Sequence, residues 1–173
     1  FIEGVANLTR CVDHGVEVGQ LVVAKRLLRS VLGQMVVRRL RRTGTPTLTV
    51  PPETFRQMSA AEHASGVAAI VTRPRHQLEP PGDRSLWLAV ERCRSPGNLG
   101  TMLRTAAAVG AEGVLITEPN THPYRPEVVR ASVGLIFALK VVEASAERVA
   151  AWAGRRGYQV VGADPSGELM SAG

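Results

Sequence analysis

The sequence predicts an α/β protein made of two consecutive units. Short apolar runs alternate with segments of helical periodicity, glycines stand where helices should end, and a polar stretch rich in proline separates the two halves. The 173 residues are 45% hydrophobic and 21% charged, which allows a folded core and excludes a disordered tail. No apolar run approaches the roughly 18 residues of a membrane span, and the start lacks a signal-peptide pattern.

The first unit is predicted to contain three strands and three helices, with Gly15 and Gly44 ending the first two helices. Its elements in chain order are a helix at 5–14, a strand at 18–24, a helix at 25–43, a strand at 47–50, a helix starting at 52–58 and a strand at 66–71.

The second unit repeats the alternation of strand and helix, which indicates a largely parallel sheet. In such sheets ligands gather beyond the carboxyl ends of the strands. We expect strands at 86–90, 113–117, 136–142 and 158–163, and helices at 99–109, 127–132 and 146–156.

The positive charge is concentrated in the first half of the chain. The net charge is +6, of which residues 1–84 carry +5, and almost all basic residues are arginine. The predicted helix at 25–43 ends in Arg38, Arg39, Arg41 and Arg42. Either these residues form a solvated face whose stems cover the core, or they contact the phosphate backbone of RNA; their density favours RNA.

The two cysteines indicate neither a disulfide scaffold nor a metal site. Cys11 and Cys93 stand far apart, without a CxxC pattern or a pairing with histidine. A zinc ribbon is therefore excluded, and we expect no metal.

The segment at 94–110 follows the strand at 86–90 and carries the most informative pattern. It is neither a P-loop nor a GxGxxG fingerprint. Asn98 stands where a helix N-cap belongs, and Gly100 permits the close approach of another backbone or a ligand. Arg104 falls among apolar residues and needs a carboxylate, a phosphate or carbonyl groups as partner. Asn98 as a plain cap and Arg104 as a structural ion pair remain open interpretations.

The pattern Asn98-x-Gly100-x-x-x-Arg104-Thr105-Ala106-x-x-x-Gly110 resembles the first motif of the SpoU (TrmH-like) family of RNA 2′-O-ribose methyltransferases, in the SPOUT superfamily. Residues 122–134 resemble the next block of that family, and residues 1–71 resemble its substrate-binding domain. The resemblance implies an L30e-like N-terminal α/β domain at 1–73, a linker at 74–84 and, at 85–173, the first part of a SPOUT domain of the trefoil-knot type.

The resemblance also implies the reaction, in which S-adenosylmethionine methylates a ribose 2′-hydroxyl. It implies ribosomal RNA rather than transfer RNA as substrate, a homodimer, and a cytoplasmic location without membrane attachment. Arg104 is then the catalytic residue and Asn98 helps to shape the site. Because an arginine side chain keeps its proton in proteins, a phosphate anchor or alkoxide stabiliser suits Arg104 better than a base, and its role stays open.

Further candidates come from the same resemblance and from position along the chain. Arg130, a candidate for RNA binding, and Ser132 are secondary candidates. The alternatives are a surface arginine and a serine without a role in the site, and for Ser132 the alternative is slightly favoured. Ala163 and Asp164 end the strand at 158–163, where a cofactor could lie, although Asp164-Pro165-Ser166-Gly167 is also typical of a turn. His122 lies in a proline-rich loop and is typical of a surface residue rather than a base.

The later motifs of the family do not appear, and the chain starts at Phe1 rather than Met. We therefore expect a fragment of a longer protein, with most of the cofactor pocket outside it. The first alternative is a truncated relative that binds RNA without methylating it. A small-molecule α/β enzyme is a third hypothesis, but the sequence offers it no nucleophile triad, metal cluster or phosphate loop.

Overall fold

Two sheets, one mixed and one parallel, organise the chain. The computed structural model describes residues 1–78 and 85–163. The first sheet has the spatial order β1-β4-β2-β3, in which β2 runs parallel to β3 and antiparallel to β4. Its elements are β1 (Ile2–Glu3), α1 (Val5–Asp13), β2 (Val18–Val23), α2 (Val31–Arg42), β3 (Thr47–Thr49), α3 (Pro52–Met58) and β4 (Val67–Val71).

The second sheet has the order β5-β6-β7, and all three strands are parallel, which confirms the prediction for this unit. The elements of this unit are β5 (Trp87–Glu91), α4 (Pro96–Ala108), β6 (Gly113–Glu118), α5 (Pro126–Ala131), a short 3₁₀ helix (Leu135–Ala138), β7 (Lys140–Glu143) and α6 (Ala146–Arg155).

In the described part of the chain, no helix is long and apolar enough to cross a membrane.

The predicted helix at 25–43 begins six residues later than expected. Ser30 is the N-cap of α2, and its hydroxyl accepts a hydrogen bond from Gly33 N at 3.2 Å. Before it the chain turns tightly, because the N–H groups of Leu27 and Leu28 both donate to Ala24 O. Leu28 is buried, so the apolar spacing that imitated a helix here serves to anchor a turn.

The strand expected at 136–142 is a 3₁₀ turn followed by a shorter strand. Gly134 adopts the left-handed conformation with φ 77°, and an added Cβ would lie 2.9 Å from Asn7 Cα. The chain can thus turn sharply against α1, and Leu139 N donates to Ile136 O before β7 starts at Lys140. The apolar run is therefore split between two structures, although both bury apolar side chains.

The strand expected at 158–163 is wrong. Residues 158–163 form no strand, and Val160 and Val161 are 78% and 59% exposed. A strand needs a neighbour to satisfy its backbone groups, and none of the described strands pairs with this segment. Tyr158 is anchored to described residues, since it stacks on Trp152 and its hydroxyl is hydrogen bonded to Ser85.

The two units share one hydrophobic core, which includes Leu8 and Val37 from the first and Leu99 and Ile136 from the second. A hydrogen bond also links the two units, since Arg10 Nη1 donates to the carbonyl oxygen of Val133. The division at 74–84 stays a prediction, and residues 79–84 lie outside the described part of the chain.

Candidate functional site

The start of α4 differs from the prediction. Ser95 is the N-cap, its hydroxyl accepts from Asn98 N at 3.3 Å, and Pro96 occupies the first helical position. Asn98 is therefore the third helical residue, and the prediction that it caps the helix is wrong. Its side chain is exposed and makes no hydrogen bond within the described residues, so its amide is available to a ligand.

Gly100 brings α4 into close contact with α5. An added Cβ would clash with Ala131 Cβ, and would lie 2.8 Å from Val128 O and 2.9 Å from Ser132 N. The expectation that Gly100 permits a close backbone approach is confirmed. This contact fixes the position of α4, and with it the positions of the side chains on its outer face.

Arg104 lies on that outer face rather than in the core. Leu103 and Ala106 are buried, whereas Arg104 is exposed and has no hydrogen bond or ion pair within the described residues. The expected structural partner is thus missing from this part of the chain. Because Arg104 follows Asn98 by six residues, the two lie about 120° apart around the helix and about 9 Å apart along it. The two side chains therefore leave the helix in different directions.

The two candidates at the C-terminal end of α5, Arg130 and the C-cap Ser132, have different environments. Ser132 is fully buried and donates to Val129 O at 2.9 Å, which is a structural role. Arg130 is exposed and lines a cleft of about 250 Å³, which also includes Val5 and His63 of the first unit. Within the described residues Arg130 forms no hydrogen bond or ion pair, whereas the buried Ser132 is not accessible to a ligand.

His122 connects the two units. Its Nε2 lies 2.6 Å from Arg73 Nη1 and 3.9 Å from Glu143 Oε1, and its Nδ1 accepts from Tyr124 N at 3.1 Å. Burial raises the pKa of the Tyr124 hydroxyl to about 12, while the charge of Arg73 opposes this shift. Nδ1 is engaged by the backbone of Tyr124, and Nε2 lies between Arg73 and Glu143, so His122 anchors a loop and is not placed as a base.

The arginines of α2 are all exposed but fall into two pairs. Arg38 and Arg41 line a cleft of about 190 Å³ together with Lys25, whereas Arg39 and Arg42 do not. Sequence reasoning missed Lys25 as a site residue, because only the turn before α2 brings it beside that helix. A single lysine among many arginines gave no signal of its own.

The described residues do not form a site that fits S-adenosylmethionine. Ala163 is exposed in a segment without strand partners, and Asp164 lies outside the described residues. The cleft of about 350 Å³ between α4 and the β5 strand is lined by Leu86 and Trp87, at the amino end of β5. Ligands of parallel sheets gather at the opposite end, so this apolar cleft is not the expected cofactor site.

The architecture defines the class. A parallel sheet with an arginine-bearing helix after its first strand, packed against a mixed sheet, matches solved methyltransferases of the SPOUT type. Residues 85–172, about half of the chain, match the SpoU rRNA Methylase family. The chain therefore belongs to the SpoU family. The α/β fold class is confirmed, and the L30e-like nature of the first unit stays a prediction.

Known relatives agree with this assignment. An uncharacterised tRNA/rRNA methyltransferase from Synechocystis is 41% identical over 85 residues, which is 49% of this chain and 31% of that protein. A 23S rRNA (uridine-2′-O)-methyltransferase from Streptomyces viridochromogenes is 28% identical over 145 residues, covering 82% of this chain and 50% of that protein.

A solved structure extends the similarity to both units. The SpoU methyltransferase AviRb from Streptomyces viridochromogenes, crystallised with AdoMet, superposes with a TM-score of 0.76 at 28% identity. The match covers 90% of this chain and 58% of the solved chain. The chain thus spans between about a third and three fifths of the length of these relatives.

Proposed function

We propose that this protein is an RNA 2′-O-ribose methyltransferase that acts on ribosomal RNA with S-adenosylmethionine as methyl donor. The observation that carries the proposal is the state of Arg104, an exposed guanidinium without an ionic partner in the described residues, on a helix fixed by the contact of Gly100 with α5. The SpoU assignment of residues 85–172 supports the reaction class.

The chemistry requires help for the nucleophile, because a ribose hydroxyl attacks a methyl group poorly until its proton is lost or its charge is stabilised. A free guanidinium can stabilise the developing alkoxide or hold the adjacent phosphate with two parallel hydrogen bonds. Arg104 performs one of these tasks, and the exposed amide of Asn98 helps to orient the ribose. S-adenosylmethionine, when bound to the whole protein, would supply the methyl group.

The substrate and assembly are part of the same proposal. The two curated relatives named above are called tRNA/rRNA and 23S rRNA methyltransferases, which supports ribosomal RNA as the substrate. A ribosomal substrate places the protein where ribosomes are assembled, which we take to be the cytoplasm. The exposed apolar residues Met102 on α4 and Val109 at its C-cap support a homodimer, because an exposed apolar surface favours contact with a second copy.

The test is methyl transfer from radiolabelled S-adenosylmethionine to ribosomal RNA. Arg104→Ala should lower turnover by at least about 10²–10³-fold, the usual effect of removing a donor that stabilises a developing oxyanion, while thermal unfolding stays unchanged because Arg104 is exposed. Arg155→Ala removes an equally exposed helical arginine from α6 and should retain wild-type turnover. Undiminished turnover of Arg104→Ala would contradict the assignment.

A non-catalytic RNA-binding protein is the second candidate. It is favoured by one observation, the lack of a fit between the described residues and S-adenosylmethionine. Equilibrium dialysis of radiolabelled S-adenosylmethionine against the protein distinguishes the two candidates. Retained RNA binding without cofactor binding or methyl transfer would favour the second.

A further inference from the structure

We propose that Lys25, Arg38 and Arg41 form a cleft that binds the phosphate groups of an RNA backbone, and that Arg39 and Arg42 lie outside this contact. The inference rests on the proposed action on RNA and specifies where the RNA docks. The sequence presents the four arginines as one cluster, whereas the proposal assigns RNA contact to one pair and not to the other.

The position of each residue on α2 explains the division. Gln34, Arg38 and Arg41 follow one another at intervals of four and three residues and therefore share one side of the helix. All three line the cleft of about 190 Å³, opposite Lys25 from the preceding turn. Arg39 and Arg42 are turned by about 100° around the helix from Arg38 and Arg41 and do not line the cleft.

The cleft gathers positive charge without a described counter-charge. Its lining contains Lys25, Arg38 and Arg41 but no acidic residue, and none of the three forms an ion pair within the described residues. Three like charges on one concave surface repel each other, and this repulsion is relieved when an anion binds. The planar guanidinium groups suit phosphate oxygens, with which each can form two parallel hydrogen bonds.

The cleft is held in shape by backbone contacts before any ligand arrives. Gln34 Nε2 donates to Leu28 O at 3.0 Å, which ties α2 to the turn that carries Lys25. Gly66 lies against the same turn, since an added Cβ would come within 2.5 Å of Leu28 N. A fixed cleft loses little conformational entropy on binding, so its cations are prepared for a phosphate.

The experiment compares three double variants that each remove two exposed arginine charges: Arg38→Ala/Arg41→Ala, Arg39→Ala/Arg42→Ala and Arg155→Ala/Arg156→Ala. Binding of a fluorescein-labelled RNA hairpin is measured by anisotropy between about 50 and 200 mM KCl. Each lost phosphate contact should reduce the slope of log K against log [KCl] by about 0.7–0.9. Lys25→Ala is then added to the first variant.

For Arg38→Ala/Arg41→Ala we expect the magnitude of the slope of log K against log [KCl] to fall by about 1.5 and RNA binding to weaken roughly tenfold. Adding Lys25→Ala should remove a further phosphate contact. The α6 variant should keep the wild-type slope, and the Arg39/Arg42 variant should change it by less than half as much as the first. Equal losses in the first two variants, or an unchanged slope in the first, would overturn the cleft. Circular dichroism checks that each variant is folded.

Failure of the cleft and failure of the enzymatic function give different results. If the wild-type chain methylates RNA but the Arg38→Ala/Arg41→Ala variant keeps the wild-type slope of log K against log [KCl], only the proposal of the cleft is wrong. If the cleft controls the slope but no methyl transfer occurs with the wild-type chain, the enzymatic function is wrong and the RNA contact stands.

Discussion

Helices α2 and α4 begin and pack in similar ways, but their exposed faces differ in charge. Each begins at a serine N-cap, Ser30 or Ser95, whose hydroxyl accepts from the N–H three residues later. Each has a buried glycine where a neighbour comes close, Gly33 or Gly100. Yet α2 ends in four exposed arginines, whereas α4 exposes Arg104 among apolar residues.

The difference separates two ways of using arginine. The cleft cations of α2 share one attraction to a polyanion, which is screened by salt. The single guanidinium of Arg104 on α4 would contact the substrate at one defined point. The effect of this contact therefore depends on where α4 places the guanidinium as well as on its charge. The comparison predicts that α4 tolerates less distortion than α2.

The largest effect is expected where the two glycines differ. An alanine at Gly100 would meet backbone atoms of α5, which cannot move aside, so Gly100→Ala should lower the free energy of unfolding by about 3 kcal/mol or more. At Gly33 the nearest atoms are the side-chain ends of Leu28 and Val5, both at 2.8 Å. Gly33→Ala should therefore cost about 1 kcal/mol or less, measured by urea unfolding.

Gly97→Ala is the control for the glycine comparison. Gly97 lies in the first turn of α4, and an added Cβ would meet only Ser95 Oγ at 3.8 Å. Alanine favours the helix over glycine by about 0.5–1 kcal/mol, so this variant should be slightly more stable than the wild type. A Gly100→Ala protein as stable as Gly33→Ala would show that α4 and α5 are not held in fixed contact.

A smaller effect is expected at the two caps. Ser30→Ala and Ser95→Ala each remove the acceptor for one N–H group at a helix start, which costs about 1 kcal/mol. Equal losses in thermal or urea unfolding would sharpen the conclusion that both helices obey the same local rule. Ser30→Asp and Ser95→Asp keep an acceptor and should restore most of the stability; failure of both to do so would argue against capping.

The smallest perturbation uses the native thiols as reporters. Burial raises the pKa of the Cys11 thiol, in α1 beneath α2, to about 12, while Cys93, shortly before α4, is half-buried. With iodoacetamide at pH 8, Cys93 should react at least about tenfold faster than Cys11, as followed by mass spectrometry. Equal rates would mean that the first unit opens as readily as the segment before α4.

The sign of the pH effect at Cys11 follows from the same burial. The folded pKa of about 12 lies above the value of about 8.5 for an unfolded cysteine. The stabilisation from the buried neutral thiol is therefore fully present below pH about 8.5 and is lost as the pH rises toward 12. Unfolding measurements from neutral to alkaline pH should show this loss, and Cys11→Ala should weaken it.

Much of the secondary structure could be predicted because it depends on local pattern. The strands β5 and β6 are short apolar runs bounded by turns, and α1 ends at its glycine as expected. The strand β1 was missed because two residues are too short to show alternation. The late start of α2 was missed because Leu28 has helical spacing while it anchors a turn.

The sequence offered candidate residues for the site but not their geometry. The close approach at Gly100 follows from the motif because it needs a residue without a side chain, while the roles of Asn98 and Arg104 stay predictions. The motif did not show that Ser95, rather than Asn98, is the N-cap of α4. The position of the N-cap depends on where the helix begins, which is at Pro96. Burial of Ser132 and exposure of Arg130 depend on which face of α5 meets α4.

The sequence by itself determined the α/β class, the basic first half and the motif on α4, because these follow from composition, periodicity and spacing along the chain. The tertiary structure alone decided that Arg104 is exposed without a described partner, that Arg38 and Arg41 join Lys25, and that residues 158–163 form no strand. The physical reason is that burial, ion pairing and strand formation each require a second surface, and only the folded chain supplies or withholds it.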